Sequence, residues 1–206
     1  MPLEEIKDIH HQLLMVASTL SPELSFAIQQ NGLLELVAKQ DRPFVEQLCR
    51  TVVGQQLSLK AAASIWARLV ASVPADVNFV DYLVRVDPAV LRGCGLSGAK
   101  VRTVVAIAQA ARANQLDAKE LGALNHTERT KRLTVLWGVG QWTADMMGIF
   151  YFADANIWPD GDVTAKKTLE RLTSKRRKTI RTAVRFAPYR SYLALHMWRY
   201  VDAVPD

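Results

Sequence analysis

Between Leu133 and Ala144 the chain reads Leu-Thr-Val-Leu-Trp-Gly-Val-Gly-Gln-Trp-Thr-Ala: the end of a helix, a Gly-Val-Gly turn and the start of another helix. Gly138 and Gly140 permit a tight turn and a close backbone approach. The N–H groups that open the second helix carry partial positive charge toward an anion such as a phosphate. Such a segment can grip a nucleic acid by its backbone without reading its sequence. An ordinary turn between helices uses the same glycines, so this stretch alone leaves both readings standing. Further on, Pro159-Asp160-Gly161-Asp162 sets two carboxylates in one loop. Asp162 precedes Val-Thr-Ala-Lys-Lys, where it can serve as a helix N-cap, a role compatible with chemistry at the same carboxylate.

The elements that must position these residues are helical. Apolar residues recur three and four apart, as at Phe44, Leu48, Val52 and at Ile65, Leu69, Val73, and strand alternation is missing. Punctuation predicts about ten helices. Ser21-Pro22 and Asp87-Pro88 pair a cap with proline at the first helical position. Gly93-Cys94-Gly95 and Ser97-Gly98 make a turn before a helix over 99–113, and Asn125-His126-Thr127 opens the next helix. After Gly140 an apolar helix is predicted through Phe152, then helices near 163–172, 176–186 and 189–203.

Composition narrows the partners. The 206 residues are 50% hydrophobic with a formal net charge of +6, enough for a packed core and a modest pull toward polyanions. Lys166 to Arg199 holds eleven Lys/Arg and one acid, Glu170, leaving 15 basic and 19 acidic residues elsewhere. The positive charge thus sits in one segment, although most of the Lys175–Lys178 run reads as a solvated face. Cys49 and Cys94 are too few for a four-cysteine iron–sulfur cluster and stand at no metal-ligand spacing; the four histidines show none either. The polar, acidic N-terminus is unlike a leader peptide, and no apolar run reaches the ~20 residues of a membrane span. A cytoplasmic, nucleoid-associated location without membrane contact is expected.

Leu-x-Gly-Val-Gly-x-Trp-Thr-Ala with an Asp about twenty residues on resembles the helix-hairpin-helix DNA glycosylase superfamily, specifically its DNA-3-methyladenine glycosylase II branch. Val53-Gly54-Gln55-Gln56-Leu57-Ser58-x-x-Ala61, Gly95-Leu96-Ser97-x-x-Lys100 and Tyr189-Arg190-Ser191-Tyr192-x-Ala194-x-x-x-Trp198 extend the likeness over most of residues 43–200. The resemblance implies an all-α, two-lobed fold with a cleft between the lobes: a central lobe over 43–155 carrying the hairpin at 133–152, and a second lobe from 1–42 plus 156–206.

It also implies site residues. The catalytic carboxylate would be Asp162, with Asp160 as the fallback in the same loop. Breaking an N-glycosidic bond leaves oxocarbenium character on the sugar, which an adjacent anion stabilises. Trp142 stands where the lyases of this superfamily carry a Schiff-base lysine, so simple hydrolysis is implied. Trp142 and Trp198 would line the pocket of a flipped base, favouring a cationic alkylpurine; core packing is the alternative for each. The best-known members of the branch carry tyrosine where this chain has Met146 and Val163, so the pocket is less aromatic. Gln56, with Leu57 beside it, would be the wedge filling the gap left by the flipped nucleotide, or else a helix cap. Gly138, Gly140, Gln141 and Thr143 would meet the DNA backbone. Main-chain oxygens of Thr134, Leu136 and Val139 would hold a structural Na+ or K+; no other cofactor is implied. The function implied is a monomeric, monofunctional glycosylase releasing 3-methyladenine or 7-methylguanine from damaged double-stranded DNA. A glycosylase for neutral lesions such as hypoxanthine, or a hairpin module that binds DNA without catalysis, are the rivals.

Overall fold

Local signals account for most of the chain breaks in the computed structural model, which describes residues 1–202. Helix α1 spans Leu3–Ser18 and α2 spans Pro22–Asn31; Ser21 Oγ accepts the N–H groups of Glu23 and Leu24 and donates to the Leu172 carbonyl at 2.6 Å. There follow α3 (Phe44–Gly54), α4 (Leu59–Ala71), α5 (Phe79–Arg85), α6 (Pro88–Gly93), α7 (Gly98–Arg112) and α8 (Ala118–Ala123). Ser58, Asn78, Asp87, Ser97 and Asp117 cap five of them through side-chain oxygens, satisfying N–H groups that open a helix. Helix α9 (His126–Leu133) begins with a reciprocal capping box between Asn125 and Glu128. After the turn come α10 (Gln141–Met146), α11 (Val163–Leu172), α12 (Thr179–Ala183) and α13 (Arg190–Tyr200). No strand occurs among the described residues, as the periodicity predicts.

The long helices expected in the second half are shorter. The stretch predicted as a helix through Phe152 is α-helical only to Met146 and continues as a π-turn over Met147–Tyr151. The segment at 176–186 resolves into α12 and a 3-10 turn at Val184–Phe186.

Contacts divide the chain into two units, the first made of Met1–Ala38 with the chain from Gly148 on, the second of Lys39–Met147. The boundary falls at 147 rather than the expected 155, because the loop after the π-turn is bound to α13. Ser191 Oγ donates to the Asp154 carbonyl at 2.5 Å and accepts the Ile157 N–H at 2.9 Å, and the Ser191 N–H bonds the Ala155 carbonyl at 2.9 Å. In the first unit α13 is the core helix, buried from Ser191 to Trp198 and packed against α2 and α11. In the second, α7 packs on α3 and α5, and α10 packs on α9 and α3.

Candidate active site and nucleic-acid interface

In the first unit, the loop before α11 shapes itself around two carboxylates. The Asp162 N–H bonds the Pro159 carbonyl at 2.8 Å and the Asp160 N–H that of Trp158 at 2.9 Å, closing a tight turn. Asp162 then caps α11: its Oδ1 accepts the Ala165 N–H at 2.8 Å. The same Oδ1 accepts the Trp198 indole N–H at 2.9 Å, so two donors fix the carboxylate, which is 9% exposed. Trp198 lies 5.6 Å from the Phe150 ring and is 0% exposed. The ring has no exposed surface in this structure, as in the core-packing alternative for Trp198, and its indole N–H holds Asp162. Asp160 is solvent-exposed and accepts from Thr179 Oγ1 at 3.1 Å and from the Trp158 indole at 3.3 Å, which ties the loop to α12. Val163 is 62% exposed next to Asp162.

His196, two residues before Asp162's partner Trp198, is a core histidine. Burial, reinforced by His10, pushes its pKa down to about 3. The Asn31 amide donates to its Nδ1 at 3.2 Å. A neutral ring with an occupied acceptor supplies no proton near neutral pH.

In the second unit the hairpin turn is fixed from three sides. Gly138 has φ +80°, and a Cβ there would overlap Thr103 Oγ1 and come within 2.9 Å of Thr103 Cγ2. The Val139 N–H bonds the Leu136 carbonyl at 3.0 Å. Gln55 Nε2 donates to the Gly138 carbonyl at 3.3 Å and to Thr143 Oγ1 at 2.9 Å. Thr143 is buried, and its hydroxyl oxygen is taken up by Gln55. Gly140 differs from Gly138: its φ of −101° suits any residue, and a Cβ would meet nothing within 4 Å. The turn itself therefore does not require glycine at 140, and of the two uses expected of that glycine, a tight turn and a close backbone approach, only the second calls for the missing side chain.

The wedge candidates sit on the loop that Gln55 anchors. Gln56 has φ +55°, and Leu57 beside it is exposed. Lys100 Nζ donates to the Val53 and Gln55 carbonyls, each at 2.8 Å, neutralising the C-terminal end of α3 where the loop departs. Of the other candidates, Trp142 is half-buried, Met146 is buried and Gln141 is exposed.

Sequence reading missed Asp145. Its buried carboxylate accepts from His126 Nε2 at 2.9 Å and Gln141 Nε2 at 2.7 Å, joining the starts of the hairpin's two helices. The spacing of His126 gave no signal, because the pair forms across 19 residues. For a cation, the turn offers neutral carbonyl oxygens. That of Leu136 keeps one lone pair after accepting Val139, and Thr134 Oγ1 is turned to the Thr130 carbonyl. A carbonyl-only donor set fits a weakly held hard ion of low charge. Among the described residues no group of three His, Cys, Asp or Glu could hold a metal.

The chain is similar to known proteins in sequence and in fold. DNA-3-methyladenine glycosylase 1 of Schizosaccharomyces pombe is 28% identical over 167 residues, 75% of this chain and 71% of its own length. DNA-3-methyladenine glycosylase 2 of Escherichia coli is 26% identical over 170 residues, 78% of this chain; the chain spans 59% of that relative. The solved structure of the S. pombe enzyme Mag1 in complex with abasic DNA superposes with a TM-score of 0.79 at 25% identity, covering 93% of this chain and 95% of that one. The sequence model of one family, described as HhH-GPD superfamily base excision DNA repair protein, matches residues 49–186, a span that holds the Gln55–Leu57 loop, the hairpin and Asp162. With the helices, the pinned glycine turn and the capped carboxylate all in place over that span, the chain belongs to the HhH-GPD superfamily of base excision DNA repair proteins.

Proposed function

We propose that this protein excises alkylated purines of the 3-methyladenine and 7-methylguanine type from double-stranded DNA by hydrolysing the N-glycosidic bond. It would act as a monomer beside chromosomal DNA. The observation that carries this reading is Asp162, a carboxylate held by two donors on one oxygen at the head of α11. A fixed anion stabilises the positive sugar that forms as the bond breaks and costs no reorganisation at that moment. An N3- or N7-alkylated base is already cationic and leaves as a neutral molecule, so no general acid is needed. His196, neutral under working conditions, is consistent with that economy. The names of the relatives point to the same substrates. Trp142 at the lyase-lysine position supports hydrolysis without strand cleavage, and its ring suits a cationic base.

Incubation with methylated duplex DNA is expected to release 3-methyladenine or 7-methylguanine, identified by mass, and to leave abasic sites that break only on heating or alkali treatment. Release from hypoxanthine-containing DNA alone would favour a neutral-lesion enzyme, and no release from either would favour a binding module. Spontaneous nicking with a borohydride-trapped adduct would overturn the hydrolytic assignment.

The grip on DNA is assigned to the hairpin. Because a side chain at Gly140 meets open space, Gly140→Asp changes charge without disturbing the turn. It is expected to weaken binding to damaged and undamaged duplex alike by at least about tenfold, an electrostatic loss at a phosphate contact. A folded variant with the parent's affinity would place the DNA-binding face elsewhere, with the basic segment from Lys166 to Arg199 the next candidate.

A further inference from the structure

Helix α7 touches the hairpin turn where Thr103 abuts Gly138. One residue earlier on each side, Arg102 and Trp137 stack: the guanidinium carbon lies 4.1 Å from the indole centroid. Both are solvent-exposed, Trp137 by 42%, and Val135 in the same turn is also exposed. The Arg102 side chain has no hydrogen bond or ion pair among the described residues. A cation without an acid partner, fixed on a surface ring, is therefore mounted on the rim of the turn.

The ring takes up one side of the guanidinium and leaves N–H groups open to an anion, and a guanidinium can meet a phosphate through two parallel bonds. The ring also holds a long side chain extended, so less rotamer freedom is lost when the edge engages an anion. The platform is rigid, since the Thr103–Gly138 contact and the Gln55 bond to the Gly138 carbonyl pin the turn from both sides. We propose that Arg102, held over the Trp137 ring, is a further contact for a DNA backbone phosphate at the hairpin. This rests on the glycosylase reading, which takes the hairpin as the part that meets DNA.

The test is fluorescence anisotropy with a labelled undamaged duplex across a salt series from about 50 to 200 mM, in the full chain. Arg102→Ala is expected to weaken binding about fivefold to tenfold at low salt and to reduce the slope of log affinity against log salt by about 1. Arg112→Ala removes the same charge from the last turn of the same helix and is expected to change neither value. Trp137→Ala should weaken binding less than Arg102→Ala and add nothing in its background, because the ring acts through the guanidinium. Arg102→Lys, a point charge without the planar fork, should recover part of the affinity. The parent slope in a folded Arg102→Ala variant, or an equal loss in Arg112→Ala, would overturn the inference. So would a full additional loss from Trp137→Ala beside Arg102→Ala, which would mean that the ring itself meets DNA. A parent chain that does not bind duplex at low salt would instead sink the glycosylase reading. Binding that is sensitive to Gly140→Asp and indifferent to Arg102→Ala would sink only this contact.

Discussion

Asp162→Asn is expected to lower the single-turnover excision rate on methylated DNA by at least ~100-fold, or ~2.7 kcal/mol of transition-state stabilisation. The substitution is unusually clean. Asparagine caps a helix as well as aspartate does, and an amide oxygen can still accept from the Ala165 and Trp198 N–H groups that now hold Oδ1. The fold therefore stays, and the lost quantity is the negative charge. Binding to the substrate duplex should be unchanged or tighter, since a carboxylate near a phosphodiester chain repels it in the ground state. The thermal midpoint should remain within a few degrees of the parent. Asp160 provides the control: it is exposed and ties the loop to Thr179 and Trp158. If Asp160→Asn were inactive and Asp162→Asn retained activity, the assignment would have to be exchanged.

Gly138→Ala is expected to be strongly destabilising, whereas the glycine two residues on tolerates a methyl group. A non-glycine residue in the left-handed region costs ~1–2 kcal/mol. The added Cβ would also press into Thr103, whose hydroxyl is held by the Ala99 carbonyl at 3.0 Å. Overpacking of this kind costs a further ~1–3 kcal/mol. For a chain of this length the sum lowers the melting temperature on the order of 10 °C. Calorimetry of Gly138→Ala, Thr103→Ala and the double variant checks the cause. The double variant should recover the steric part and keep the conformational part. A Gly138→Ala protein melting with the parent would mean that the turn relaxes away from α7, and the pinned-turn account would fail.

Short-range chemistry was readable from the residues in order. Ser21-Pro22, Asp87-Pro88 and Asn125-His126-Thr127 are start signals that act within a few positions, and each opens a helix as predicted. The Val-Thr-Ala-Lys-Lys run after Asp162 likewise marked that aspartate as a cap. What was not readable acts at a distance. Trp198 reaches Asp162 from 36 residues away, and Gln55 reaches Thr143 from 88. Nothing local distinguishes a tryptophan that walls a pocket from one that orients a carboxylate in the core. The His126–Asp145 pair was invisible for the same reason, as its two members face each other only once α9 and α10 have packed. The π-turn after Met146 escaped because apolar periodicity does not register a one-residue widening of the helix. The boundary between the units shifted with it, since the residues past the turn take their partners from α13.

The two thiols bear on survival under the conditions in which such an enzyme would be needed. Reagents that methylate purines are electrophiles, and in proteins their readiest target is an ionised thiol. Cys49 and Cys94 are both buried. Burial in an apolar site, with Glu46 close by, pushes the Cys49 thiol far up. Cys94 Sγ is turned toward the Arg68 carbonyl at 3.6 Å. A chain built this way offers no accessible thiol, so an enzyme of the proposed kind would keep its cysteines intact in a cell under attack by methylating agents.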